Sequence, residues 1–347
     1  MVQKEIVKIT KLLDKNGNIA EPGYAKKLLW EYNRENVSAN KALLKEWDYY
    51  YIGNDDYALC LTVADMGYVG AISATVMDFN KENPWQITQS AIRLFPMGKM
   101  NMPKTSAVGD INTTAGKASI SITNDGVTRH IAGVYPNFQK GKDLTFDITL
   151  GNVPEESMVI ATPFAKTGRF YYNQKINCMS ADGTFSFDGK NYVFSSKDGA
   201  LATLDWGRGV WTYDNTWYWG SLQTKLEDGS TFGFNIGYGF GNNESATENM
   251  VFYNGKSHKL DEVTFNIPQK DGEDDFMSPW TFTSNDGKFY MDFIPLIDRY
   301  APFDLKVFAM IPHQVFGYFT GYAILEDGKK IEISSVLGFA EKVHNKW

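Results

Sequence analysis

Residues 47–79 read WDYYYIGNDDYALCLTVADMGYVGAISATVMDF, and this stretch decides the fold class. It divides into three runs, WDYYYIG (47–53), YALCLTVAD (57–65) and YVGAISATVMDF (68–79), all rich in aromatic and β-branched residues. Such side chains fit the pleated surface of a strand. Between the runs stand Gly53-Asn54-Asp55-Asp56 and Asp65-Met66-Gly67, residue types that make tight turns. Three strands joined this closely form an antiparallel meander.

Working outward, the first 46 residues are mixed. Tyr24 to Tyr32 (YAKKLLWEY) follows Pro22-Gly23, and its spacing predicts a short amphipathic helix. The stretch from about Asn80 to Thr114 carries Pro84, Pro96 and Pro103 and reads as a long excursion. Strands resume at KASISIT (117–123), with Asn124-Asp125-Gly126 as a hairpin turn before VTRHIAG (127–133), and again near 143–150 and 157–161. Beyond residue 170 short strands follow at hairpin spacing, separated by turns such as Glu227-Asp228-Gly229, Asn254-Gly255 and Glu326-Asp327-Gly328. About eight of them come after residue 199, enough to close one barrel. The expectation is an all-β chain of two consecutive antiparallel barrels with little helix, residues 1–198 with a leading helical segment and residues 199–347.

Composition narrows the function classes. A length of 347 residues suits two domains. The net charge of −7, with no basic stripe, argues against a nucleic-acid partner. No run of 18 apolar residues is present, so no membrane span is expected. Met1-Val2-Gln3-Lys4-Glu5-Ile6-Val7-Lys8 lacks the apolar stretch of a signal peptide, which points to the cytoplasm. Cys60 and Cys178 lie in strand-like runs and read as buried thiols. The aromatic fraction of 15% exceeds what strands alone require and suggests a pocket with stacking walls for a small molecule.

One strand stands out. In 232–241, FGFNIGYGFG, one face is Phe232, Phe234, Ile236, Tyr238 and Phe240, and the other is Gly233, Asn235, Gly237, Gly239 and Gly241. Glycine inside a strand marks a bulge or the close approach of a ligand or another backbone. The glycine face is therefore expected to line a cavity, with Asn235 and Gly237 at the ligand.

No G-x-S-x-G elbow, P-loop, H-E-x-x-H or C-x-x-C occurs, and the four histidines are scattered, so neither metal nor nucleotide is expected. Four segments carry chemistry. Leu204-Asp205-Trp206-Gly207-Arg208-Gly209-Val210-Trp211, with Trp217-Tyr218-Trp219, gathers a carboxylate, a guanidinium and four indoles. Indoles desolvate a carboxylate and raise its pKa, whereas a bidentate arginine holds it ionised. Asp205 is the expected acid, tuned by Arg208 or His313. The second segment, Ser245-Ala246-Thr247-Glu248-Asn249-Met250, offers Glu248 at a barrel mouth. Lys256-Ser257-His258-Lys259-Leu260-Asp261 reads mainly as exposed hairpin charge, and Ile311-Pro312-His313-Gln314 places His313 on a strand. Core packing is the competing reading for each.

These segments in order, WDYYYIG, FYYNQKINCM (which contains Tyr172), LDWGRGVW with WYWGS, GFNIGYGFG, TENMVFYNGKSHKL, HQVFG and GFAEKVHNKW, resemble the family of unknown function DUF2804 from about Tyr24 to Trp347. That family is distantly similar to the tandem lipocalin-like group of AttH-type proteins, carotenoid 1,2-hydratases and tocopherol cyclases. The resemblance implies two lipocalin-like barrels and acid chemistry on prenyl double bonds without an obligatory organic cofactor. The leading reading is thus an acid catalyst of hydratase or cyclase type on an apolar substrate. Asp205, Glu248 and His313 would be catalytic, and Trp206, Arg208, Trp211, Trp217, Trp219 and Tyr172 would hold substrate. Aromatic platforms with two carboxylates also suit glycoside cleavage. A lipocalin-type pocket that binds without turnover is the third reading.

Overall fold

The computed structural model describes residues 3–304 and 309–346; Met1, Val2 and Trp347, the last residue of the terminal motif, lie outside it. Among the described residues there is no α-helix, only three single-turn 3₁₀ segments, and the strands fall into two large antiparallel sheets and two small ones. The chain is all-β, with a first sheet that nearly closes into a barrel and a second that forms a half-barrel.

The meander of residues 47–79 forms as expected, as Leu44–Gly53, Tyr57–Asp65 and Val69–Asp78. Two local expectations are corrected. Residues 24–32 are extended rather than helical: Gly23–Ala25 pairs with Met158–Pro163, and backbone pairing overrides the local apolar period. The supposed excursion contains a full strand, Trp85–Leu94, which pairs along its length with Val69–Asp78. Its proline-bearing flanks concealed it.

Across the first sheet the central neighbours are Tyr57–Asp65, Leu44–Gly53, Leu201–Val210, Phe170–Phe187 and Lys142–Gly151. In the second they are Met250–Tyr253, Thr231–Tyr238, Asp214–Lys225, Lys330–Lys346 and Ala309–Ile324. Leu201–Val210 belongs to the first sheet, so the chain passes between sheets from Val210 to Asp214, beyond the boundary expected at Asp198-Gly199.

Strand alternation then assigns faces. Tyr50, Ile52, Leu204, Trp206 and Tyr172 fill the first barrel, and Leu222, Phe232, Phe234, Val315 and Phe319 fill the second. The opposite faces of the same strands meet between the sheets, which is why Leu201–Val210 is buried at every position. Two apolar clusters make that junction. One unites Tyr49, Tyr51, Cys60, Trp219, Phe316 and Phe339. The other unites Tyr24, Met158, Tyr171, Trp211, Phe240 and Met250.

The glycine face of 233–241 also lies in this junction, which corrects its expected role. A Cβ at Gly233 would touch Cys178 Sγ at 2.9 Å, one at Gly237 would sit 2.7 Å from the Tyr218 carbonyl oxygen, and one at Gly241 2.6 Å from Thr162 Oγ1. These glycines permit close packing of chain on chain and do not leave an open cavity. The regular strand stops at Tyr238; Gly239 and Gly241 adopt φ of 89° and 77°, values natural to glycine.

Candidate functional site

A group of charged side chains lies in the junction between the two apolar clusters. Lys175 and Asp205 are ladder partners on adjacent strands of the first sheet. Lys175 Nζ lies 2.9 Å from Asp205 Oδ1. Asp205 also accepts from Asn173 Nδ2 at 2.6 Å and from Trp47 Nε1 at 3.2 Å. Lys175 Nζ sits 3.9 Å from the ring centroid of Trp219, which comes from the second sheet.

Two further carboxylates come from the second half of the chain, Glu341 on the strand Lys330–Lys346 and Glu248 on the segment between Tyr238 and Met250. Glu341 accepts from Trp217 Nε1 at 3.0 Å and from Gln314 Nε2 at 2.8 Å. Gln314 is itself oriented by Arg299 Nη1, which donates to its Oε1 at 2.7 Å. Glu248 is held by Asn235, whose Nδ2 donates to its carbonyl at 2.8 Å while Asn235 Oδ1 accepts from Trp219 Nε1 at 2.6 Å. Tyr171 lies where Glu248, Asp205 and Glu341 all act on it, and burial together with these anions pushes its phenol well above its ordinary pKa.

Asp205, Glu248 and Glu341 keep 8, 6 and 7% of their surface, whereas Asp65, which accepts from the backbone N–H groups of Gly67, Gly98 and Met100, keeps none. The three acids are therefore enclosed but touched by solvent. Burial raises Glu341 to about 7, against the smaller lowering effects of the Trp217 hydrogen bond and the Lys175 and Arg299 cations. Burial also raises Glu248, with Lys175 and Asn235 opposing. At both glutamates burial is the largest cause and outweighs the nearby cations, so Glu341 and Glu248 hold a proton more tightly than free carboxyls do.

The expected site residues separate along strand faces. Asp205, Glu248, Trp211, Trp217, Trp219, Asn235 and Gly237 come together in the junction. Trp206, Arg208 and Tyr172 project to the other side, into the first barrel. There the Trp206 ring meets Tyr172 at 5.3 Å and the Arg208 guanidinium at 4.2 Å. Arg208 pairs with Asp48 at 3.1 Å and with Glu46 at 3.7 Å, not with Asp205. Three residues along a strand is an odd step, so Asp205 and Arg208 face opposite ways. His313 is held elsewhere, its Nδ1 2.6 Å from Asp298 Oδ2 and its ring stacked between Phe276 and Tyr300.

Lys175, Glu341, Trp47, Tyr171, Asn173 and Gln314 join the site without having been singled out. The signal was there in part: Tyr171, Asn173 and Lys175 alternate within FYYNQKINCM, and Glu341 directly follows the apolar Phe339-Ala340 of GFAEKVHNKW. What no local pattern shows is that both faces of these strands are covered. Among the described residues no His, Cys, Asp and Glu side chains gather in a metal-ligand arrangement.

Two consecutive barrel-like antiparallel sheets, with an enclosed acid cluster at their junction, define an all-β protein of the double-barrel class. The chain belongs to the family of the domain of unknown function DUF2804, whose sequence profile matches residues 3–347. No curated protein matches its sequence significantly. A candidate AttH protein from Nitrosomonas europaea superimposes with a TM-score of 0.54 at 13% identity, covering 88% of this chain and 93% of that one. Kievitone hydratase from Nectria haematococca superimposes with a TM-score of 0.52 at 11% identity, covering 87% of this chain and 88% of that one. These likenesses establish the fold. No helix among the described residues is long and apolar enough to cross a membrane.

Proposed function

We propose that the protein is a hydratase-type acid catalyst acting on an alkene in an apolar, isoprenoid-like small molecule, bound where the two sheets meet. The observation that carries this reading is Glu341, a buried carboxyl raised to about 7 and aimed by two N–H donors within an aromatic surround. A general acid works best with a pKa near the working pH. In the proposed step the Glu341 O–H bond breaks as a C–H bond forms on the alkene, leaving a carbocation. Water adds to that carbon and returns a proton to the Glu341 carboxylate, so the net change is addition of H₂O.

The remaining residues fit around this step. Trp47, Tyr171, Trp211, Trp217 and Phe240 form a connected aromatic wall, with centroid separations from 4.8 to 6.3 Å. Their faces offer the negative potential that a carbocation needs. Asp205, paired with Lys175, is the fixed anion of the site, and Glu248 is the second acid. Kievitone hydratase, by its name a hydratase, shares the fold and adds support. A glycoside-cleaving role is less well supported, because a sugar chain needs an open groove and these acids are enclosed.

The test is incubation with a panel of prenylated phenols and linear terpenoid alkenes in H₂¹⁸O, read by mass spectrometry. Addition of one labelled water by the wild-type protein, lost in Glu341→Gln, supports the proposal. Addition that survives Glu341→Gln, or tight binding of the same compounds without any mass change, overturns it.

A further inference from the structure

Glu248 reaches the cluster from a segment, residues 239–249, that lies outside every ladder. One half-buried lysine holds its end. Lys259 Nζ donates to Thr247 Oγ1 at 2.8 Å, to the Asn249 carbonyl at 2.7 Å and to the Leu260 carbonyl at 2.9 Å. The three protons of an ammonium meet three oxygens, and two of those oxygens flank Glu248 in sequence. Asn249 in turn accepts from the Gly237 N–H at 2.7 Å and donates to the Asp261 carbonyl at 2.8 Å. Gln3 closes the other side of the turn, accepting from the Thr247 N–H at 2.8 Å and donating to Leu260.

We propose that Lys259 is a positioning residue, which fixes the Thr247–Asn249 turn and thereby delivers the Glu248 carboxyl to the Lys175–Asp205 pair. The proposal rests on reading that cluster as the reactive site, but its test does not require turnover. An ammonium is suited to the task because it presents three donors from one point, which a planar guanidinium does not. Burial lowers Lys259 to about 7, with Asp261, Glu248 and Asp286 opposing, and the Tyr24 ring lies 5.2 Å away. A desolvated charge kept at that cost, with all three protons used, points to a task that geometry sets.

Position and charge predict opposite signs. As a cation near Glu248, Lys259 lowers that carboxyl's pKa. If charge were its whole role, Lys259→Met would raise the Glu248 pKa. If it positions the turn, the loosened carboxyl regains solvent and its pKa falls, because burial is the largest cause of its elevation. The experiment follows the side-chain carboxyl of Glu248 by ¹³C NMR titration in wild type, Lys259→Met, Lys259→Arg and the milder Thr247→Val. It also measures exchange of the Gly237 amide. The expected results are a lower Glu248 pKa in all three variants and roughly tenfold faster Gly237 exchange in Lys259→Met. An unchanged or raised Glu248 pKa in Lys259→Met and Thr247→Val, or full rescue by Lys259→Arg, overturns the proposal. Should Lys259→Met fail to fold, Thr247→Val decides alone. The proposal survives failure of the hydratase assay, since neither readout involves substrate.

Discussion

Lys175 and Asp205 face each other across one ladder of the first sheet, 2.9 Å apart, and the Lys175 ammonium touches the second sheet through the Trp219 ring. It is the cation shared by all three acids of the junction, since it also acts on Glu248 and Glu341. Removing one partner of a buried pair leaves an uncompensated charge, at about 3–5 kcal/mol. Lys175→Met should therefore lose about that much stability at neutral pH in urea titrations. The loss should shrink toward pH 5 as the carboxyls take up protons. A loss under about 1 kcal/mol at pH 7 would show that the lysine is not their shared counter-ion.

Glu341 makes stability depend on pH in a defined direction. Its folded pKa, about 7, lies above its ordinary value of 4.5, so the folded state binds the proton more tightly than the unfolded chain. The contribution is complete below about pH 4.5 and is lost as pH rises through 7. Moving that carboxyl from 4.5 to about 7 corresponds to roughly 3 kcal/mol across that window. Stability of wild type minus that of Glu341→Gln, measured from pH 4.5 to 8, should fall with this slope. A flat difference would place Glu341 in water.

Gly207 shares the Asp205 face of its strand, and an added Cβ would overlap the indole of Trp47. Gly207→Ala must push that ring away, and overpacking of this kind costs about 1–3 kcal/mol. The displacement also breaks the Trp47–Asp205 hydrogen bond. We expect a lower Tm and a loss of the Trp47 indole N–H resonance from its hydrogen-bonded position. A variant with unchanged Tm and an unmoved resonance would contradict the packing.

The two thiols should differ in how they resist modification. Cys178 lines a cavity of about 150 Å³ at the seam of the sheets, and burial pushes its thiol up to about 12. Reagent can approach, so thiolate content limits the rate, which should rise nearly tenfold per pH unit between pH 8 and 10. Cys60 is 1% exposed, packed among Tyr49, Tyr51 and Phe316, and its thiol is also raised by burial. Its labelling should wait for local opening, and denaturant should accelerate it far more than it does Cys178. Mass spectrometry of each cysteine peptide separates the two.

Much of this protein was legible from residue order. The aromatic and β-branched runs of 47–79 and the Asn-Gly and Asp-Gly turns determined an all-β chain, because strand preference and turn chemistry are local properties. The exceptions were Tyr24–Tyr32, whose apolar spacing mimics a helix, and Trp85–Leu94, obscured by nearby prolines. Alternation puts Asp205 and Arg208 on opposite faces, and the expectation that Arg208 tunes Asp205 overlooked it. Only the tertiary structure decided that both faces of Leu201–Val210 and of residues 170–179 are buried, one in a barrel and one against the other sheet. That arrangement brings Lys175 and Asp205 of one sheet to Glu341 of the other and to Glu248 on the segment between Tyr238 and Met250, from positions up to 166 residues apart. The proton affinity of Glu341 follows from the same fact: it is a property of desolvation and of neighbours distant in the chain, and neither is written in its own segment.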